Sequence, residues 1–439
     1  MAGKSMPNPD VSSLKSPDSV SPRVTRLVGF YCLVLLTLYN FASAGLIVVP
    51  VQFILKNQLH LGATQVSFFS FLTDGPFFVG FAFGFLRDRW RPFGKGDSGY
   101  FLFVPLLMGL VYLVLGYAPH TYAVLVGGLV ALAALSSLLG AAAQGLVAAI
   151  AKDFGMMGRL SVVTYVTMRA ALVYQQTVGS WLDEHSRIAP FIVSACVCVT
   201  VLLAAFWHPK AIFRSGDEVF VSVIPENATV ALKRLLRHKA IYIPALILFL
   251  WDFAPGWGTP LFFYLTNTQK LTEAAFGASQ GWLRMGAVLA ALSYAWLCTR
   301  FKFKQLLYLG TFLGVIGGPT FLLIHSPGQA NMVCLLAGAS CGIAVSAYYD
   351  LLFRCCPKEL EGVAFMVSYA AFTLAGDGSD ILGSYLYEKG GFGLALVISM
   401  AFTALIFVPI IFLPKSATDP HEGEAIVDWD PPQALTTTA

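Results

Sequence analysis

The strongest constraint in this chain is its run of apolar stretches, each about as long as a bilayer is thick. A helix that crosses the hydrocarbon layer needs ~20 mostly apolar residues. Such stretches can be read at 27–54, 64–86, 99–118, 121–150, 161–181 and 188–207, then at 240–265, 276–298, 305–324, 330–353, 362–386 and 391–413. Charged residues are only 12% of the chain, whereas ordinary soluble domains carry about 25%. The expected fold is therefore an all-α polytopic membrane protein, with twelve transmembrane helices in two six-helix halves. The division runs as a disordered tail at 1–26, the first half at 27–207, a linker at 208–239, the second half at 240–413 and an acidic tail at 414–439.

The basic residues orient this arrangement. Loops that stay in the cytoplasm collect Lys and Arg. Of the 28 basic residues, only Lys56, Arg187, Lys270 and Lys389 fall on one side, and Arg169 and Arg284 lie within apolar segments. The remaining 22 share the side of the tails and the linker, which predicts cytoplasmic termini, with a plasma (inner) membrane as the expected location. The net charge of +4 then reflects this bias and gives no reason to expect nucleic acid as a partner. The last part of the linker, from Ala231 to Lys239, alternates Leu with Lys and Arg. It suits either a helix lying on an anionic leaflet or a plain connector. The eight cysteines lie in the apolar segments or at their cytoplasmic ends and read as small core residues. The sequon at Asn227 falls in the cytoplasmic linker and should be silent.

Six charged residues sit near the middle of apolar segments: Asp74, Arg169, Asp252, Arg284, Asp377 and Asp380. A charge at that depth persists when it meets a partner or a wet cavity. They occupy the second, fifth, seventh, eighth and eleventh segments, so a subset of helices would line a polar pathway. Gln144, Gln176 and Gln280 are polar candidates for the same path, and Gln176 shares a helical face with Arg169. Two readings stay open. The arginines would bind an anionic solute by forked hydrogen bonds while an aspartate, Asp252 first, exchanges protons. Alternatively, the charges neutralise one another, Arg169 with Asp74 and Arg284 with Asp252 or Asp377. Asp350 and Arg354, four apart, should form a local ion pair. Trp251, Trp257, Tyr264 and Tyr348 could stack on a planar ligand or simply pack.

The segment Gly84, Leu86, Asp88 and Arg89 resembles the Gly-x-Leu-x-Asp-Arg signature of the major facilitator superfamily. The resemblance implies that the third, sixth, ninth and twelfth helices are peripheral, and that Asp88 meets a helix start at Pro357–Gly362, with Glu361 beside it. Gly84, Asp88, Arg89, Asp350, Arg354 and Glu361 then form a candidate gate. The stretches 249–267 and 349–362, with Pro92, Phe93 and Gly94, look similar to the narrower folate–biopterin transporter family, although Gln144 stands where that family would carry an acid. The implied function is secondary active transport of a small organic solute, a folate, a pterin or another anion, coupled to protons, by a monomer without cofactor. A transport-fold sensor or a lipid flippase is the alternative. Neither a phosphate-binding Gly-rich loop nor a metal-spaced His pair is present, so an enzyme is not expected.

Overall fold

The structure, a computed structural model, describes residues 22–90, 92–94, 97–154, 156–207, 241–355 and 361–413. In chain order the helices are α1 (Pro22–Ala44), α2 (Val48–Phe53), α3 (Ala63–Thr73), α4 (Gly75–Phe78), α5 (Gly80–Arg89), α6 (Asp97–Tyr117), α7 (Tyr122–Asp153), α8 (Met157–His185), α9 (Ala189–Thr200), α10 (Leu202–Phe206), α11 (Tyr242–Asp252), α12 (Thr259–Phe263), α13 (Glu273–Arg300), α14 (Phe303–Gly317), α15 (Pro327–Arg354), α16 (Glu361–Leu405) and α17 (Phe407–Ile411). Among the described residues, seven helical segments are long and apolar enough to cross a membrane. The predicted linker and acidic tail lie outside the described residues, as do residues 1–21 of the first tail. α1 begins at Pro22, inside the stretch expected to be disordered, because proline is well placed in the first turn of a helix.

Three expected single spans are interrupted. The segment expected at 27–54 breaks after Ala44, where Gly45 has a φ of 62°. A side chain there would collide with the Tyr112 hydroxyl, so glycine answers both the conformation and the space. The freed backbone groups are taken up by side chains. Gln175 donates to the Ala44 carbonyl, and Ser194 accepts from the Leu46 amide at 2.9 Å. The segment at 64–86 breaks at Asp74 and Val79, and that at 240–265 breaks between α11 and α12 with Gly256 at φ 123°. The break expected at 386–391 is present: the helical run that starts at Glu361 is kinked at Gly391, whose φ of 73° is non-helical, and a second helical stretch continues to Leu405.

A repeat runs through the two parts of the chain. α2 ends in a π-turn, Ile54–Gln58, followed by left-handed His60 and the start of α3. α12 ends in a π-turn, Tyr264–Thr268, followed by left-handed Lys270 and the start of α13. The corresponding residues Lys56 and Thr266 are 210 positions apart and are hydrogen-bonded to each other at 2.6 Å.

The outer surface is apolar: Leu110 is 57% exposed, Leu323 63% and Phe206 72%. Such a surface suits hydrocarbon, so the interior must cohere by close packing instead of by expulsion from water. Glycines provide the closeness. A Cβ at Gly338 on α15 would enter the Leu283 backbone on α13, and one at Gly286 would enter the Leu335 carbonyl. Gly338→Val should therefore lower the melting temperature in detergent, by overpacking worth about 1–3 kcal/mol. Gly127→Val on α7 has open space around it and should leave the melting temperature near that of the wild type.

Candidate functional site

The α11–α12 break organises the buried charges of this region. Its second half, α12, starts with amide groups that have no partner within their own helix. Asp380 of α16 supplies one: the Thr259 amide donates to its Oδ1 at 2.7 Å and the Thr259 hydroxyl to its Oδ2 at 2.6 Å. On the near side of the break, the Ser379 hydroxyl donates to the Asp252 carbonyl at 3.1 Å. Asp380 is thus engaged in holding the broken helix, while the Asp252 carboxylate has no hydrogen bond to a described residue.

Arg169 on α8 and Arg284 on α13 come together from opposite sides of the linker. These helices run antiparallel, with Gly277 against Gln176 and Ser180, and Gly281 against Thr177 and Val173. The next turn brings Arg284 within electrostatic range of Arg169, with Cys341 of α15 close to both and to Asp252. Arg169 lies over the Tyr165 ring at 5.2 Å. The Nε of each arginine is closed to solvent and has no hydrogen-bond partner. Gln280 lies one turn before Arg284 on α13, and Gln176 is buried on α8.

Asp74, at the junction of α3 and α4, lies within range of Asp377 on α16, which also neighbours Asp380. Asp377 Oδ2 is buried without a partner. The mutual neutralisation considered from sequence is not what the structure contains. Among the described residues, Arg169 and Arg284 make no ion pair with Asp74, Asp252 or Asp377. Helices α8 and α13 hold the bases while α3 and α16 hold three of the acids, which keeps unlike charges on different helix pairs. Gln144 on α7 donates to the Tyr39 hydroxyl at 3.5 Å, and is mostly exposed.

At the end of the bundle that carries residues 54–62, 184–188, 264–272 and 386–391, the two parts of the chain are tied by polar contacts absent from the sequence reading. Glu388 accepts from the Thr64 amide at 3.0 Å and from its hydroxyl at 2.7 Å, at the start of α3. Glu184 accepts from the Ala274 amide at 2.7 Å, at the start of α13. One carboxylate from each part thus caps a helix of the other, the favourable place for a negative charge. Below Glu388, Ser67 and Ser384 are hydrogen-bonded at 2.5 Å. Lys56 completes the set through Thr266. Each contact joins residues more than a hundred positions apart or nearly so, and no local motif announces them.

The opposite end holds the residues proposed as a gate. Asp350 and Arg354 form the expected pair at 2.8 Å. Tyr294 donates to Asp350 at 3.0 Å, and Arg354 lies 4.2 Å from the Phe303 ring centroid. Gly84 has open space around it and Arg89 is exposed at the end of α5. The side chains of Asp88 and Glu361 lie outside the described residues, as does the backbone at 356–360. Arg87, not singled out from sequence, pairs with Asp97 at 2.6 Å across the turn and approaches Gly145 of α7 closely. Each aromatic candidate has an aromatic neighbour within the protein. Trp251 meets Tyr348 at 5.4 Å, Trp257 meets Phe321 at 5.1 Å, and Tyr264 stacks on Phe392 at 4.3 Å.

Residues 33–376 match the family model of the Major Facilitator Superfamily. The chain belongs to that superfamily. It is accordingly an integral, multi-pass membrane protein with a transporter fold. Among solved structures it is similar to the D-xylose–proton symporter, with a TM-score of 0.69 and 13% identity over 90% of this chain and 99% of that one. It is similar to the nucleoside transporter NupG, with a TM-score of 0.64 and 11% identity over 88% of this chain and 98% of that one. A bacterial homolog of the human lysosomal transporter Spinster, solved inward-facing and unoccupied, gives 0.59 and 14% over 91% and 96%. No curated protein matches the chain by sequence. At these identities the likeness is one of fold.

Two outcomes follow for this superfamily member. With the eight native cysteines replaced by serine, Ser67→Cys together with Ser384→Cys should form a disulfide on mild oxidation. Loss of thiol labelling, restored by reductant, is the readout. Asp380→Ala should lower stability by about 1–2 kcal/mol through the lost helix cap, and Asp380→Asn, which keeps an acceptor, should lose less in the same melt.

Proposed function

We propose that this chain is a proton-coupled secondary transporter of twelve helices in two six-helix halves, moving a small organic anion by alternating access. The observation that carries this reading is the Arg169–Arg284 pair. Two guanidinium groups come within electrostatic range of each other between helices of the two halves, and among the described residues neither makes an ion pair with an acid. A guanidinium stays charged at any working pH and presents a fork of donors suited to carboxylate or phosphate. An anion is the partner that such a pair lacks.

Asp252 is the proton carrier in this reading. It sits where α11 breaks, its carboxylate has no hydrogen-bond partner among the described residues, and it shares the neighbourhood of Cys341 with both arginines. Substrate bound on the arginines would therefore reach the proton site through space. A carboxylate freed of a fixed partner can alternate between charged and neutral forms as solvent access changes. The end closed by Glu184, Glu388 and Lys56 faces outward in this proposal, with both termini cytoplasmic in a plasma membrane. Opening there would break the two cross-half caps while the other end closes. The resemblance of residues 249–267 and 349–362 to folate–biopterin transporters makes folate and biopterin the first substrates to try.

The test is uptake into proteoliposomes of folate, biopterin and a panel of organic anions, under an imposed inward proton gradient. Accumulation should collapse on adding an uncoupler. Asp252→Asn should abolish accumulation while leaving counterflow exchange, because exchange needs no net proton movement. Arg284→Gln should raise KM at least about tenfold through lost charge-assisted hydrogen bonds. Binding of a panel member with neither uptake nor exchange would instead favour a sensor and sink the transport reading.

A further inference from the structure

The internal repeat allows the two walls of the site to be compared position by position. α3 and α13 both follow a π-turn and a left-handed residue. In that correspondence Ser67 matches Gly277, and Asp74 matches Arg284. The helices packed on them correspond as well. Glu388 of α16 caps α3 as Glu184 of α8 caps α13, and Ser384 contacts Ser67 as Ser180 meets Gly277. Counting back along each partner helix, Asp380 matches Gln176, and Asp377 falls in the turn that carries Val173 on α8. The frame is thus repeated and the charge is inverted. One wall, α8 with α13, carries Arg169 and Arg284. The other, α3 to α5 with α16, carries Asp74 and Asp377, since Asp380 is engaged by Thr259.

On these two walls like charges are grouped, and Asp252 of α11 is the acid that shares the neighbourhood of Cys341 with the arginines. Arg284 has Arg169 as its charged neighbour, and Asp377 has Asp74 and Asp380. No described ion pair joins the walls. Arg169 Nε, Arg284 Nε and Asp377 Oδ2 are all closed to solvent and unpartnered. Leaving both sets unpaired in a low-dielectric interior is unfavourable, whereas a ligand with a charge at each end would satisfy both walls at once.

We propose that the transported solute is bipolar: a carboxylate- or phosphate-type group lies on Arg169 and Arg284, and a cationic nitrogen group lies on Asp74 and Asp377. This deepens the anion-transport reading and rests on it. It gives the α3–α16 acids a role separate from that of Asp252, which belongs to α11 and neighbours Cys341. A solute with only an anionic end would leave Asp74 and Asp377 to protons or metal cations. A bipolar one uses them for specificity, because a rival lacking the nitrogen leaves a buried carboxylate unpaired.

The experiment measures dissociation constants on the purified full chain in detergent. The probes are ω-aminocarboxylates of increasing chain length, each beside the simple carboxylate and the simple amine of matched length. A length series is used so that no span between the walls is assumed. At some length the aminocarboxylate should bind roughly tenfold or more tightly than either one-ended probe, the scale of one charge-assisted hydrogen bond. Asp74→Asn with Asp377→Asn should erase that preference while keeping the affinity for simple carboxylates, which also reports that the variant is folded. Arg284→Gln should weaken carboxylates and aminocarboxylates alike. A simple carboxylate that binds as well as the best aminocarboxylate overturns the bipolar assignment and leaves the anion site standing. So does a preference that survives the double Asn variant, or a carboxylate affinity that rises only with sodium or with added acid. If no carboxylate of any kind binds, the anion-transport reading falls and this proposal with it.

Discussion

A backbone polar group freed inside hydrocarbon has no water to turn to, so every interruption of a helix in this bundle needs a partner from elsewhere in the chain. The break after Ala44 takes Gln175 and Ser194. The break after Asp252 takes Asp380 and Ser379. These partners come from helices that are distant in sequence, so each break also fixes how neighbouring helices sit. Gly45 and Gly256 supply the left-handed backbone at the two breaks, a conformation that side-chain-bearing residues rarely adopt. Polar side chains in the interior thus fall into two groups. Some hold broken backbone, and others, Asp377 Oδ2 and the Nε atoms of Arg169 and Arg284 among them, are buried without a partner.

That separation changes how the buried charges are understood. Asp380 belongs to the first group through its two bonds to Thr259. Asp74, Asp252, Asp377, Arg169 and Arg284 form the second, since among the described residues none of them makes an ion pair, and Arg169 Nε, Arg284 Nε and Asp377 Oδ2 are closed to solvent without a partner. Two arginines within electrostatic range of each other repel, and that repulsion is what the anion-transport proposal starts from. The glycine contacts of α8 with α13 bring the two backbones into close approach, and the two arginines lie within electrostatic range in the next turn. Close packing, which membrane interiors use in place of the hydrophobic effect, is here also what positions the charges.

The paired caps give the opposite end of the bundle a related logic. Glu184 and Glu388 each cross from one part of the chain to the helix start of the other. Both carboxylates lie at exposed positions, so each cap can be exchanged for water when the two parts separate. Four polar links, Lys56 to Thr266 among them, lie at that end beside an apolar contact between the two parts, where Phe53 meets Phe262 at 5.1 Å and Phe276 at 6.2 Å.

Read from residues alone, the apolar segments, the basic bias and the signature at Gly84–Arg89 already place the chain in a membrane and in its superfamily. Hydrocarbon imposes length and composition locally, and local sequence records both. The six interior charges were legible for the same reason, since a lone charge in an apolar run stands out. Their partners were not. The suggested pairing of Arg169 with Asp74 ignored that these residues lie on different helix pairs, and nothing local distinguishes Asp380, a helix cap, from Asp377, an unpaired acid one turn away. Glu184 and Glu388 carry no local signal that marks them as helix caps, and Glu388 finds Thr64 across 324 positions. By itself the sequence determined the solvent, the helical class and the cast of charged residues. Only the tertiary structure decided which charges are spent on backbone, which are held apart and which ends are tied, because those outcomes depend on distances between helices that chain order does not encode.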